Sequence, residues 1–144
     1  MANTPESIVY TATARTTGGR AGKAVSTEPD LNLDLRLPTA MGGDGKGTNP
    51  EQLFAIGYGA CFQGALGLAG REAGVDVSQA EVATAVGIGP EGESFGLAVR
   101  IEVAIPGVPL DQAQALVERT HELCPYSKAT RGNIPVEVAA VESL

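Results

Sequence analysis

The sequence predicts an α+β fold, with elements in the order βββ-α-ββ-α-β and one long central helix. Three observations lead there. Leu31, Leu33, Leu35 and Leu37 alternate with Asn32, Asp34 and Arg36, the period-two pattern of a half-buried strand. From Thr48 to about Gly70 the chain is apolar almost all round, as a buried helix is. A second helix, Asp111 to Leu123, sets Ala113, Leu116, Val117, Thr120 and Cys124 near one stripe.

The remaining elements follow in order. Residues 7–14 are rich in β-branched side chains and predict a strand; Gly18-Gly19 turns the chain, and Arg20 to Ser26 returns it. Pro38 ends the leucine strand. Residues 38–49 hold Gly42, Gly43, Gly45 and Gly47, too many for regular structure, and predict a loop: a mobile flap beside a site, or a surface connection. Gly45-Lys46-Gly47-Thr48 lacks the upstream glycine of a nucleotide-binding phosphate loop. Thr48-Asn49-Pro50-Glu51 is a helix start, with a capping residue, proline in the first turn and an acid at the positive end of the dipole. Glu51, Gln63, Arg71 and Glu72 interrupt or bracket the apolar run, and its glycines dilute it, which argues against a membrane span. The missing polar face suggests that a second subunit covers the helix. Val82–Ile88 and Phe95–Ile105 predict a hairpin, and residues 134–141 a last strand.

At 144 residues the chain is expected to form a single domain, 1–144. A net charge of −7 with only ten Lys and Arg argues against nucleic acid or an anionic membrane as partner. The N-terminus has no basic segment leading into an apolar one, so no secretory signal is read there. Two cysteines are too few for a secreted disulfide scaffold, and the expected location is the cytoplasm.

Those cysteines sit in distinctive segments. Cys61 lies mid-way along the apolar helix; Cys124 precedes Pro125 at a helix break. Neither belongs to a CxxC pair. Two isolated thiols that met in the fold would suit a peroxidatic cysteine and its resolving partner, while inert core cysteines are the plainer reading. His121 and Cys124, three apart, form a partial zinc set to which Cys61 could add, but a fourth ligand is missing. His121 alone reads as a surface residue.

A reactive Cys61 would need help. Burial raises a thiol pKa, and Pro50 is about three turns away, beyond the reach of that helix's dipole. Lowering the pKa by two to three units takes about 3–4 kcal/mol. One guanidinium at about 4 Å supplies roughly that at an effective dielectric of 20. Arg20, beside the Gly-Gly turn, is the best placed; Arg15 and Arg36 compete, and Arg131 flanks the second cysteine. Arg71, Arg100 and Arg119 read as solvated surface. Glu51, the acid nearest Cys61 in sequence, would hold an arginine fork bidentately.

Three segments resemble one family: Gly18-Gly19-Arg20-Ala21-Gly22, Thr48 through Phe62, and Cys124-Pro125-Tyr126-Ser127-Lys128-Ala129-Thr130-Arg131-Gly132-Asn133. They are similar to the organic hydroperoxide resistance (Ohr) proteins of the OsmC/Ohr superfamily, over essentially the whole chain. Tyr126 and the short length favour Ohr over its sister branch, while Gly57 and Gly59 depart from the alanine-rich helix expected there. The resemblance implies an OsmC-like fold, an intertwined homodimer, and a thiol peroxidase reducing organic and fatty-acid hydroperoxides to alcohols. It implies Cys61 as peroxidatic, Cys124 as resolving, Arg20 and Glu51 as completing the site, lipoylated proteins or dihydrolipoamide as reductant, and no cofactor. Phe54, Ile56, Tyr58, Phe62 and Met41 are the expected apolar pocket. Glu51 stands ten residues from Cys61. On an unbroken helix that is about 15 Å, so Glu51 is expected to reach the thiol across the dimer interface. From another functional class, a redox-responsive binding protein would use the same two cysteines without turnover.

Overall fold

The computed structural model describes residues 2–144 and divides into two compact units, one running to Pro50 and one from Glu51 to Leu144. The first holds a three-stranded antiparallel sheet, β1 (Ala14–Thr17), β2 (Lys23–Ser26) and β3 (Leu31–Asp34), with β2 in the middle. Lys23 pairs with Asp34 across β2 and β3, and their side chains make an exposed ion pair at 2.9 Å.

Several strand limits differ from the sequence reading, each for a local reason. Ser7 to Thr13 join no strand: β1 pairs with β2 only from Thr17↔Lys23 to Ala14↔Ser26, where β2 ends. Strand-forming residues further upstream have no edge left to pair with in this chain, and Ile8, Val9 and Tyr10 are exposed. The returning strand starts at Lys23 rather than Arg20, because Gly18 and Gly19 both take positive φ and wind Gly19–Ala21 into a 3₁₀ turn. The leucine strand stops at Asp34, and Leu35 makes a lone parallel bridge to Thr48. The glycine-rich loop is bonded within itself. Thr39–Met41 is a 3₁₀ turn, and the amides of Gly43 and Gly45 donate to the carbonyls of Pro38 and Leu37. A Cβ on Gly43 would stand 2.0 Å from the Leu37 carbonyl, so only glycine fits there.

The second unit is built on α1 (Pro50–Ala73), β4 (Glu81–Glu91), β5 (Ser94–Ala104), α2 (Leu110–Leu123), α3 (Pro125–Thr130) and β6 (Val136–Val141). β4 and β5 form the expected hairpin; β6 returns parallel to β5, which is therefore central. A parallel return needs a crossover, and α2 with α3 supplies it. Val99, Ile101 and Val103 of β5 pack with Tyr58, Phe62 and Leu66 of α1 and with Leu116 and Val117 of α2 in one core. α3 was not expected. Proline at its first position, preceded by an extended residue, is the start signal that could have found it.

The burial expected all round α1 is not met within one chain. Among the described residues α1 alone is long and apolar enough to cross a membrane, and only 28% of its most apolar window is buried. Tyr58, Phe62, Ala65, Leu66, Ala69 and Gly70 face the core, whereas Ile56 and Leu68 are exposed.

Candidate active site

Cys61 is carried by the middle of α1, an uninterrupted helix of 24 residues. Cys124 is carried by the joint between α2 and α3. Pro125 disfavours helical geometry at the residue before it, and Cys124 is extended, at φ −63° and ψ 123°. α2 stops there and α3 restarts with Pro125, so the thiol side chain sits where the chain changes direction.

This joint brings the two sulfurs together. Cys124 Sγ lies 3.6 Å from Cys61 Sγ, both as free thiols. Their accessibility differs: Cys61 is partly exposed and Cys124 has no exposed surface. A molecule arriving from solvent reaches Cys61 first. Burial pushes the Cys61 thiol above its ordinary value of 9.0; a hydrogen bond from the Tyr126 backbone N–H pulls it back, and contact with Cys124 raises it further. Tyr126 is in the first turn of α3, whose amides have no intrahelical acceptor, so a helix start does serve Cys61. It belongs to a different helix from the one considered in the sequence.

Around the joint runs a buried polar chain. Tyr58 Oη is 2.9 Å from Ser127 Oγ and 3.1 Å from Thr130 Oγ1, and Ser127 Oγ is 2.7 Å from His121 Nδ1. The Arg131 guanidinium donates to the His121 carbonyl. His121 is thus a half-buried member of this chain, not the surface residue expected. Among the described residues no three or more of His, Cys, Asp and Glu gather as a metal would need.

An open cavity of about 450 Å³ is lined by Phe54, Leu97, Tyr126, Ala129, Thr130, Asn133 and Ile134. Tyr126 belongs to both features, through its amide to Cys61 and its ring to the cavity wall. Phe54, Tyr58 and Tyr126 pack their rings with centroids 5.6–6.0 Å apart, in the range of favourable aromatic contact. Of the five expected pocket residues, Phe54 is on this wall. Tyr58 and Phe62 are fully buried in the core, Ile56 is exposed, and Met41 lies in the first unit, partly exposed. Leu97 on β5 and Ile134 have no link to Cys61 in the sequence, whereas Tyr126, Ala129, Thr130 and Asn133 all lie in the Cys124–Asn133 segment.

Arg20 lies, half-buried, on the 3₁₀ turn of the first unit, and Glu51 in the first turn of α1. Of the competing cations, Arg36 donates to the Leu35 carbonyl, Arg100 pairs with Glu102 and Glu137, and Arg119 with Glu72 and Glu122.

The model of the OsmC-like protein family matches residues 43–139. The chain belongs to the OsmC/Ohr family. It is 46% identical to the organic hydroperoxide resistance protein of Xanthomonas axonopodis pv. citri over 134 residues, 92% of this chain and 94% of that one. It is 41% identical to the organic hydroperoxide resistance protein OhrA of Bacillus subtilis, over 93% of this chain and 97% of that one. A Vibrio cholerae crystal structure, described as a putative organic hydroperoxide resistance protein with captopril bound in one of its active sites, superposes with a TM-score of 0.90. Its sequence is 44% identical, with 99% of each chain covered. The α+β fold is therefore OsmC-like, and the chain falls in the Ohr branch.

In this Ohr chain the polar network leaves a titration signature. Partial burial first, and then the Arg131 charge, hold His121 below its ordinary value of 6.5. As pH falls, the unfolded chain takes up this proton before the folded one does. The contribution is complete above the unfolded value and declines as pH drops toward the folded one. Urea midpoints measured between about pH 5 and pH 8 should fall on the acid side, and His121→Asn should flatten that part of the curve. An unchanged slope in His121→Asn would assign the loss to other groups.

Proposed function

We propose that this chain is a cysteine-based thiol peroxidase that reduces organic hydroperoxides, including those of fatty acids, to alcohols. The observation carrying this reading is the partly exposed Cys61 thiol in contact with the buried Cys124 thiol, with Tyr126 both bonding Cys61 and lining an apolar cavity. The relatives named for organic hydroperoxide resistance support the substrate class and a role in defence against organic peroxide stress.

The Cys61 thiolate attacks the outer oxygen of the O–O bond. That bond breaks, the alkoxide leaves and takes a proton as the alcohol, and Cys61 becomes a sulfenic acid. Cys124 then attacks the Cys61 sulfur, the S–O bond breaks, and hydroxide leaves as water with the proton from Cys124. The Cys61–Cys124 disulfide is reopened by a dithiol of the lipoyl class, dihydrolipoamide or a lipoylated protein, which ends as its own cyclic disulfide. No further cofactor enters these steps.

The cavity favours alkyl chains. Apolar burial is worth about 25 cal/mol per Å², or about 0.8 kcal/mol per methylene, so a long-chain hydroperoxide gains what hydrogen peroxide cannot. Phe54 holds the alkyl group together with Leu97, Tyr126 and Ile134. Of the other expected substrate contacts, the buried Tyr58 and Phe62 back that wall, and the exposed Ile56 and Met41 contribute in an assembled dimer.

Arg20 stabilises the Cys61 thiolate, and Glu51 orients the guanidinium. Burial raises the thiol pKa, so ionisation needs a cation. α1 is unbroken between Glu51 and Cys61, a span of about 15 Å, which favours Glu51 acting on the partner's thiol. A homodimer would also cover Ile56 and Leu68 of α1 and the exposed arm at Ile8, Val9 and Tyr10. Matches spanning 92–99% of the chain support one Ohr domain over 1–144, and we place it in the cytoplasm, where thiols are kept reduced.

Turnover decides the first point. With dihydrolipoamide as reductant, kcat/KM should be orders of magnitude higher for a bulky alkyl hydroperoxide than for hydrogen peroxide. Cys61→Ser should be inactive, and Cys124→Ser should be oxidised once and then over-oxidise in excess peroxide, read by mass spectrometry. Oxidation without multiple turnover would point instead to a redox-responsive binding protein.

Arg20→Ala should raise the Cys61 pKa in a thiol titration and slow peroxide reduction by orders of magnitude. Arg20→Lys should restore only part, since an ammonium cannot fork to thiolate and carboxylate together. An unmoved pKa would hand the role to Arg131.

Mixed dimers test Glu51. Cys61→Ser chains combined with Glu51→Ala chains should regain activity if Glu51 acts across the interface; if it acts within its own chain, the mixture should stay as inactive as its parents.

A further inference from the structure

The buried polar chain has a symmetry about the two sulfurs. Tyr58 stands three residues before Cys61 on α1, while His121 and Ser127 stand three residues before and after Cys124. The chain therefore ties the helix that carries one thiol to the joint that carries the other. Tyr58 and Ser127 are fully buried and Thr130 nearly so. One direction of donation uses each proton once: His121 Nδ1–H to Ser127, Ser127 to Tyr58, Tyr58 to Thr130, and Thr130 to the Ser127 carbonyl at 3.3 Å. His121 reaches Ser127 across the break at Cys124, and Arg131, at the end of α3, closes the joint a second time on the His121 carbonyl.

We propose that the His121–Ser127–Tyr58 chain is a clamp that sets the approach of Cys124 to Cys61, with His121 and Ser127 as positioning residues for the resolving step. This rests on the peroxidase reading and adds to it the residues that decide how an oxidised Cys61 partitions. A sulfenic acid on Cys61 has two fates. Cys124 displaces hydroxide and forms the disulfide with loss of water, or a second hydroperoxide transfers an oxygen to give the sulfinic acid and a second alcohol. The first fate depends on geometry and the second does not. The Cys124 N–H donates to the Thr120 carbonyl and the Cys124 carbonyl accepts from the Lys128 N–H, but Pro125 has no N–H to continue the ladder, and the clamp adds a side-chain tie across that gap.

The test compares wild type with His121→Leu, His121→Asn and Ser127→Ala. Leucine removes the bond to Ser127, whereas the asparagine amide can place a donor near the position of Nδ1. A misplacement near 1 Å costs on the order of a hundredfold in a proximity-driven step. At a fixed excess of alkyl hydroperoxide, His121→Leu and Ser127→Ala should therefore raise the sulfinic-to-disulfide ratio by about ten- to a hundredfold. The rate of the first oxidation of Cys61 should be unchanged, and His121→Asn should recover most of the lost partition. Equal ratios in all four proteins would overturn the clamp, as would a first oxidation slowed by the same factor as disulfide formation. Diamide separates this proposal from the one beneath it, because it couples neighbouring thiols without a peroxide. Slower Cys61–Cys124 coupling by diamide in His121→Leu supports the clamp even if wild type fails to turn over hydroperoxide; unchanged coupling overturns it.

Discussion

The steric conflict between a proline ring and the residue before it organises the second unit. Pro125 keeps Cys124 out of helical geometry, so α2 ends, the chain bends and α3 begins. Three consequences follow from that one bond. The Cys124 side chain leaves the stripe it would have continued on α2 and meets Cys61. The first turn of α3 is left with unbonded amides, one of which, from Tyr126, donates to the Cys61 sulfur. Finally, α3 carries Tyr126 and Ala129 to the cavity and Ser127 to the buried hydroxyl chain.

The role proposed for Cys61 sets two requirements against each other. An apolar wall binds an alkyl chain by removing water, and removing water disfavours the thiolate that must attack. Within the second unit the Tyr126 amide offsets part of that penalty, while burial and the Cys124 contact still leave the thiol raised. A neutral amide dipole cannot replace a full charge, which is the physical case for a guanidinium in this site. The elements that could supply one are limited, since Arg100 and Arg119 are already held by two carboxylates each.

How much was legible depended on whether the cause was local. Thr48 through Glu51 announced α1, alternation announced β3, and Pro125 announced the break, because capping, pleat and ring sterics act within a few residues. Pairing was not local. Ser7 to Thr13 have strand-forming side chains, but whether they join a ladder depends on where β2 ends. The two thiols and their spacing in sequence were visible, whereas their 3.6 Å contact depends on the packing of the joint against α1. Likewise Leu97 enters the cavity from a strand with no sequence link to either motif. His121 looked like a surface residue because nothing in its own helix marks Ser127, across the break, as its partner.

The glycines of α1 show how such a contact constrains sequence. Gly57 and Gly59 depart from the alanine-rich helix expected of the family, and residues this small leave room for a close neighbour. Part of the room is used within the chain. A Cβ on Gly57 would stand 3.1 Å from the Tyr126 hydroxyl, and one on Gly59 would stand 2.9 Å from Thr84 Oγ1 on β4. Glycine costs a helix interior about 1 kcal/mol relative to alanine, so the two positions together weaken α1 in isolation. At Gly57 the cost admits the ring of Tyr126, whose amide bonds Cys61 and which lines the cavity. At Gly59 it lets α1 settle on β4 closely enough that Thr84 Oγ1 is buried without a hydrogen-bond partner among the described residues. An alanine-bearing relative that keeps the same helix path must move the tyrosine outward or the strand away. Through Tyr126, the backbone at Gly57 thus constrains the cavity wall along with the side chains that line it.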